Sequence, residues 1–199
     1  MKELQKIKEL LIVVDMVNGF VKKGALADTY ILHIIEPIKK TIEEFQASPE
    51  KDVFFIRDAH QLGCAEFKKF PEHCIDGTWE SEIIDELAPY SKDSRTYKKN
   101  SRSALFAPGF MRDIDIMRNN LLTRIVTTGC CSDLCDLDLS VPLMNYFDQM
   151  NNNIEIIVPQ DSIETYDAPW HNRDEYNELA YKIMKQEGIK LVKTIGGNK

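Results

Sequence analysis

ELLIVVD, residues 9–15, is a short apolar run, rich in β-branched residues, that ends in an aspartate. Such a run is typical of a strand that is buried on both faces of a parallel sheet. DVFFIRD, residues 52–58, has the same character and the same final aspartate. Weaker forms of the pattern predict four more strands, at 95–99, 124–129, 154–161 and 189–194.

Segments with helical periodicity separate these predicted strands. They lie at 29–47, 80–89, 109–120, 132–150 and 171–187, and each is long enough for a crossover helix. This alternation predicts an α/β fold, a doubly wound, mostly parallel six-stranded sheet with helices on both faces. Because no repeat or linker interrupts the chain, we expect a single domain over residues 1–199.

Composition narrows the range of functions. The net charge is −7, with acidic and basic residues interleaved along the chain, which disfavours nucleic acid or an anionic membrane as a partner. No apolar run approaches the roughly 20 residues that a bilayer crossing needs. The five cysteines are an odd number, and the first ten residues are polar and amphipathic, so we expect a reducing, cytoplasmic location. A small molecule is the expected partner, and assembly into a homo-oligomer stays open.

Reactive side chains follow several of the predicted strands. Asp15 closes the first strand, Asp58 and His60 follow the second, Lys99 closes the third, and the cluster TTGCCSDLCD (127–136) follows the fourth. Open parallel sheets bind ligands beyond the carboxyl ends of their strands. The sequence therefore predicts a site at this edge of the sheet.

The cysteine cluster offers three candidate nucleophiles, Cys130, Cys131 and Cys135. A free cysteine is most often a small buried hydrophobe, and this reading is favoured for Cys130 and Cys131. A helix capped by Ser132 or Asp133 would place Cys135 in its first turn, where the helix dipole favours a thiolate.

Lys99 and Asp15 complete this candidate site. No histidine falls near the ends of the first, third or fourth strands, so Asp15 is the candidate base. Lys99 beside the thiol would lower the thiol pKa and keep the aspartate ionised. Taken singly, Asp15 could be a loop aspartate and Lys99 a solvated lysine.

Three motifs carry a family resemblance: LIVVDMVNGF around Asp15, KNSRSALF from Lys99, and TTGCCSDLCD around Cys135. They resemble the signatures of the isochorismatase-like cysteine hydrolases, a family with a Rossmann-like three-layer fold. The resemblance implies that Cys135 is the nucleophile and that a cis peptide joins Cys130 to Cys131. It further implies that the backbone N–H groups of Cys131 and Cys135 form the oxyanion hole.

A second set of residues, Asp58, His60, Glu66 and His73, has the oxygen and nitrogen donors that suit a divalent metal. The D-x-H pattern and the later PEHCIDGT resemble the metal-binding nicotinamidases, whose metal holds the pyridine nitrogen of the substrate. The resemblance implies a zinc enzyme, with iron or manganese open, that hydrolyses the carboxamide of nicotinamide through a cysteine thioester in NAD salvage. Phe20 and Phe70 would be the aromatic walls of its pocket.

Several alternatives stay open. A structural zinc site could use His60, Cys64, His73 and Cys74, or these could be ordinary loop residues with no metal. Arg102 departs from the commoner family pattern, and it either points to solvent or meets a carboxylate on a different substrate. The protein could thus be another amidase or hydrolase of this family, or a binding module of the same fold. His171 receives no catalytic role.

Overall fold

A parallel sheet runs through the centre of the structure, a computed structural model that describes residues 1–195. The strands are β1 (Glu9–Val14), β2 (Lys51–Asp58), β3 (Arg95–Lys99), β4 (Arg124–Cys130), β5 (Glu155–Pro159), β6 (Ile163–Glu164) and β7 (Lys190–Val192). They are ordered β3-β2-β1-β4-β5-β7, with the short β6 beside β4. All six predicted strands are present. β6 was not predicted, because two residues are too few for an alternating pattern to be recognised.

Helices cover both faces of this sheet. They are α1 (Asn18–Val21), α2 (Ile35–Ala47), α3 (Ala88–Ser91), α4 (Phe110–Arg118), α5 (Leu137–Gln149) and α6 (Arg173–Gln186). In β1, Leu10, Ile12 and Val14 pack in the core that includes α4 and α5, whereas Leu11 and Val13 pack on the other face in the core that includes α2. A strand buried on both sides explains the continuous apolar run of β1 and confirms the doubly wound α/β fold.

Three of the predicted helices differ from the structure. The segment 29–47 is a 3₁₀ helix over Thr29–Ile34 and becomes α-helical only in α2. The segment 80–89 holds a 3₁₀ turn at Trp79–Ser81 and then only the start of the short α3. Pro89 lies in the first turn of α3, where a helix tolerates proline, whereas in a helix that began at residue 80 its ring would clash with the preceding turn. α5 begins at Leu137 and not at residue 132. No helix within residues 1–195 is long and apolar enough to span a membrane.

Gly129 allows the end of β4 to lie against the end of β1. Its φ is +121°, and a Cβ at this position would lie 2.0 Å from the carbonyl oxygen of Val14. No side chain fits that space. The close approach of the two strands brings the cysteine cluster to the residue that follows β1.

Candidate active site

The ends of β1, β2 and β3 bring two carboxylates and a lysine together. Asp58 and Lys99 are paired in register at the ends of β2 and β3. Asp15 follows β1 with a φ of +50°, and its Oδ1 accepts a hydrogen bond of 2.8 Å from the backbone N–H of Asp58. The three side chains are almost completely buried.

Lys99 is the centre of this cluster. Its Nζ lies 2.8 Å from Oδ2 of Asp15 and 3.6 Å from Sγ of Cys135, and it also contacts Oδ1 of Asp58. The structure therefore brings together the three residues that the sequence predicted as catalytic, although they lie up to 120 positions apart in the chain.

Burial dominates the protonation of these groups. Burial raises the pKa of Asp15 to about 6, although Lys99 opposes this and Asp58 adds to it. Burial acts to lower the pKa of Lys99, but Asp15 and Asp58 hold it well above its usual range. Burial also raises the pKa of Cys135, and Lys99 opposes this only in part because both carboxylates add to the rise. Lys99 thus lowers the pKa of the thiol, as expected, but burial and the two carboxylates outweigh it, so Cys135 holds its proton more firmly than a free cysteine does.

Cys135 lies in the turn before α5, and not inside the first turn of the helix. The peptide bond between Cys130 and Cys131 is cis, as the resemblance implied. The turn from Cys131 to Asp136 is closed by a hydrogen bond of 3.1 Å from the Asp136 N–H to the Cys131 carbonyl. Within residues 1–195 the N–H groups of Cys131 and Cys135 have no hydrogen-bond acceptor, so both are free to donate to a ligand.

Tertiary contacts explain why α5 starts late. The predicted cap residues Ser132 and Asp133 do not cap it, because their side chains bind elsewhere. Ser132 Oγ makes a hydrogen bond to Asn177 at 2.5 Å, and Asp133 binds Thr165 and His171. Asp136 is the residue before the first turn of α5.

Asp58, His60 and His73 form a cluster that fits a divalent metal. Within residues 1–195, no other group of three or more histidine, cysteine or acidic side chains could hold a metal ion. The Nε2 atoms of the two histidines lie 3.1 Å apart, and Asp58 Oδ2 lies 3.4 Å from His60 Nε2 and 3.6 Å from His73 Nε2. His73 Nδ1 is 2.7 Å from the carbonyl of Pro71, which can only accept, so Nε2 presents its lone pair to the cluster.

The other candidate ligands lie around this cluster. Glu66 lines the same pocket but is not part of the converging group. Cys64 Sγ is 3.5 Å from the other nitrogen of His60, Nδ1, and Cys74 Sγ contacts the carbonyl of Glu80. The two cysteines therefore do not join the histidines in the alternative zinc site.

A pocket connects the thiol with this cluster. It is narrow, with a cavity volume of about 50 Å³. Its walls combine predicted and unpredicted residues: Phe20, Leu26, Asp58, Glu66, Phe70, His73, Arg102, Cys131, Leu134, Cys135 and Tyr166. Arg102 Nε contacts the carboxylate of Asp138, a partner within the chain that the sequence did not indicate. Tyr166 comes from the segment between β6 and α6, where no motif pointed to a site residue.

Comparisons with known proteins agree with this geometry. The isochorismatase domain matches residues 9–195. Nicotinamidase 1 of Arabidopsis thaliana is 28% identical over 178 residues, which cover 81% of this chain and 71% of that protein.

Solved structures show the same fold. N-carbamoylsarcosine amidase from Thermoplasma acidophilum has a TM-score of 0.77 at 24% identity, covering 97% of this chain and 100% of that one. Pyrazinamidase of Pyrococcus horikoshii in complex with zinc has a TM-score of 0.72 at 24% identity, covering 93% of this chain and 98% of that one. At such identities the likeness shows the fold alone.

Proposed function

The chain belongs to the isochorismatase family, and we propose that within it the protein is a one-domain cytoplasmic nicotinamidase that hydrolyses nicotinamide to nicotinate and ammonia for NAD salvage. One observation carries the proposal. The thiol, lysine and aspartate cluster lies in the same pocket as a metal-competent Asp58, His60 and His73 group. The similarity to Nicotinamidase 1 supports the choice of substrate.

The first half of the reaction forms a thioester. Asp15 takes the proton of the neutral Cys135 thiol, and the thiolate attacks the carboxamide carbon. The N–H groups of Cys131 and Cys135 donate to the oxygen as negative charge develops on it. The tetrahedral species then collapses, Asp15 returns the proton to the leaving nitrogen, and ammonia departs.

The second half regenerates the thiol. Asp15 takes a proton from water, the hydroxide attacks the thioester carbon, and the carbon–sulfur bond breaks to release nicotinate. The sulfur recovers the proton from Asp15. Lys99 keeps its charge throughout and holds Asp15 in position, since its ammonium contacts both carboxylates and faces the sulfur.

The metal cluster would orient the substrate. A divalent metal, zinc in the first place, would be held by Asp58, His60 and His73, with Glu66 at the same wall, and would supply a Lewis-acidic centre for the pyridine nitrogen. Phe20 lies with its ring centroid 5.6 Å from that of His73, and Phe70 lines the same pocket, so a flat aromatic ring would lie between apolar walls.

A second candidate is an amidase or hydrolase of this family with a different small substrate. Arg102 lines the pocket and is paired with Asp138 through Nε. A substrate that carries a carboxylate could compete with Asp138 for the guanidinium. A binding module is the weakest candidate, because such a module has no need for the buried contacts among Asp15, Lys99 and Cys135.

Ammonia release from nicotinamide, with and without a chelator, tests the proposal. We expect turnover by the purified protein, loss of turnover with the chelator, and recovery when zinc is returned. Cys135→Ala should abolish turnover, whereas Cys130→Ala should not reproduce this loss because Cys130 does not line the pocket. An active Cys135→Ala protein would refute the assignment of the nucleophile. Turnover of another carboxamide but not of nicotinamide would favour the second candidate.

A further inference from the structure

A buried histidine outside the pocket contacts the turn that carries the proposed oxyanion donors. His171 precedes α6 and is 4% exposed. Its Nε2 lies 2.9 Å from Oδ2 of Asp133, and its Nδ1 lies 3.0 Å from the carbonyl oxygen of Tyr166. The mechanism above does not use this residue.

The two partners of the imidazole are hydrogen-bond acceptors in different segments. The Asp133 carboxylate lies at Nε2 and the Tyr166 carbonyl lies at Nδ1. The ring therefore spans the turn that carries the cysteines and the segment that carries Tyr166.

Two tyrosine rings hold the imidazole between them. Tyr166 stacks on one face with a centroid distance of 3.9 Å, and Tyr176 of α6 stacks on the other at 3.7 Å. Stacking on both faces fixes the plane of the ring, so its two nitrogens stay directed at Asp133 and at the Tyr166 carbonyl.

Asp133 and Tyr166 link His171 to the active site. Asp133 lies between Cys131 and Cys135, and its Oδ1 accepts a hydrogen bond of 2.5 Å from Thr165 Oγ1. Tyr166 lines the pocket together with both of these cysteines. The contacts of His171 thus join the turn to the opposite wall of the pocket.

We propose that His171 is a positioning residue that ties Asp133 to Tyr166 and so holds the Cys131 and Cys135 N–H groups in place for the oxyanion. Its effect on turnover rests on the function proposed above. Its effect on the turn does not.

Kinetics of matched variants test the catalytic consequence. His171→Gln carries both of its N–H donors on one nitrogen and so cannot span the two partners, and a small misplacement of oxyanion donors lowers the rate about 10- to 100-fold. We expect this loss in kcat with a smaller change in KM, because the donors act mainly as charge develops. Asp133→Ala should lose a similar factor, and the double variant should be no slower than the worse single variant. Tyr176→Phe keeps the stacked ring and should keep the kcat of the wild type.

Nuclear magnetic resonance tests the tie without reference to activity. The backbone amide signals of Cys131 and Cys135 should move in His171→Gln and stay in place in Tyr176→Phe.

Several results would overturn the inference. Amide signals of Cys131 and Cys135 that stay in place in a folded His171→Gln or Asp133→Ala protein would do so. So would a less stable His171→Gln protein that retains the kcat of the wild type on nicotinamide. If the wild type releases no ammonia from nicotinamide, the proposed function fails by itself, and the two amide shifts still decide whether the tie exists.

Discussion

Asp136 makes a quantitative prediction possible, because it is a completely buried carboxyl group next to the proposed nucleophile. Within residues 1–195 neither of its carboxylate oxygens has a hydrogen-bond partner. Burial raises its pKa well above the ordinary value of 3.8, and Asp15 adds to the rise while Lys99 opposes it. The folded protein therefore holds the proton of Asp136 to a higher pH than the unfolded chain does.

The sign of the effect on stability follows from this difference. Above pH 3.8 the unfolded chain loses this proton while the folded protein keeps it, so the contribution of Asp136 to stability falls as the pH rises. The fall is about 1.4 kcal/mol for each pH unit up to the raised pKa. Asparagine has no proton to lose. We therefore expect Asp136→Asn to gain free energy of unfolding relative to the wild type as the pH rises above 3.8, by up to about 1.4 kcal/mol for each pH unit until the raised pKa is reached.

Urea denaturation at a series of pH values, under reducing conditions, measures this difference. The difference at any single pH also contains the cost of burying an unpaired amide, about 1–3 kcal/mol, so the slope with pH is the test. Asp93→Asn, at an exposed position, should follow the slope of the wild type. If Asp136→Asn and the wild type give parallel curves, Asp136 is not a neutral acid in the folded protein and the reasoning fails.

Three further predictions concern the site and its support. Asp15→Asn should lower kcat by about 10²- to 10⁴-fold with a smaller change in KM, because the amide still accepts from the Asp58 N–H but cannot take a proton. Steady-state kinetics that show mainly a change in KM would contradict this. His60→Ala should have lost its bound metal when measured by elemental analysis, and its activity on nicotinamide should fall much more than its activity on benzamide, which lacks the ring nitrogen. Equal losses of activity on both substrates would exclude a role for the metal in holding that nitrogen. Gly129→Ala should lower the free energy of unfolding by about 3 kcal/mol or more, because its Cβ would meet the Val14 carbonyl at 2.0 Å and its φ is unfavourable for alanine. A variant that is as stable as the wild type in urea denaturation would be inconsistent with this packing.

Local pattern was sufficient for the sheet and for the location of the site. The apolar runs of β1 and β2 are continuous because both faces of these strands are buried, and so the sequence marks them clearly. In a parallel sheet the carboxyl ends of the strands meet at one edge, which explains why Asp15, Asp58 and Lys99 could be predicted to lie together. The short β6 and the 3₁₀ turn at Trp79–Ser81 carry too little periodicity to be identified in this way.

The sequence by itself determined the doubly wound sheet, the edge at which the site lies, and the residue types available there for a thiol mechanism and a metal. Only the tertiary structure decided the start of α5, because the side chains of Ser132 and Asp133 bind partners from the C-terminal part of the chain. It likewise decided that burial and two carboxylates raise the pKa of Cys135 against the opposing effect of Lys99. Burial and the charges of groups distant in sequence set the pKa, and a sequence pattern records neighbours along the chain but not the solvent or the charges around a folded side chain.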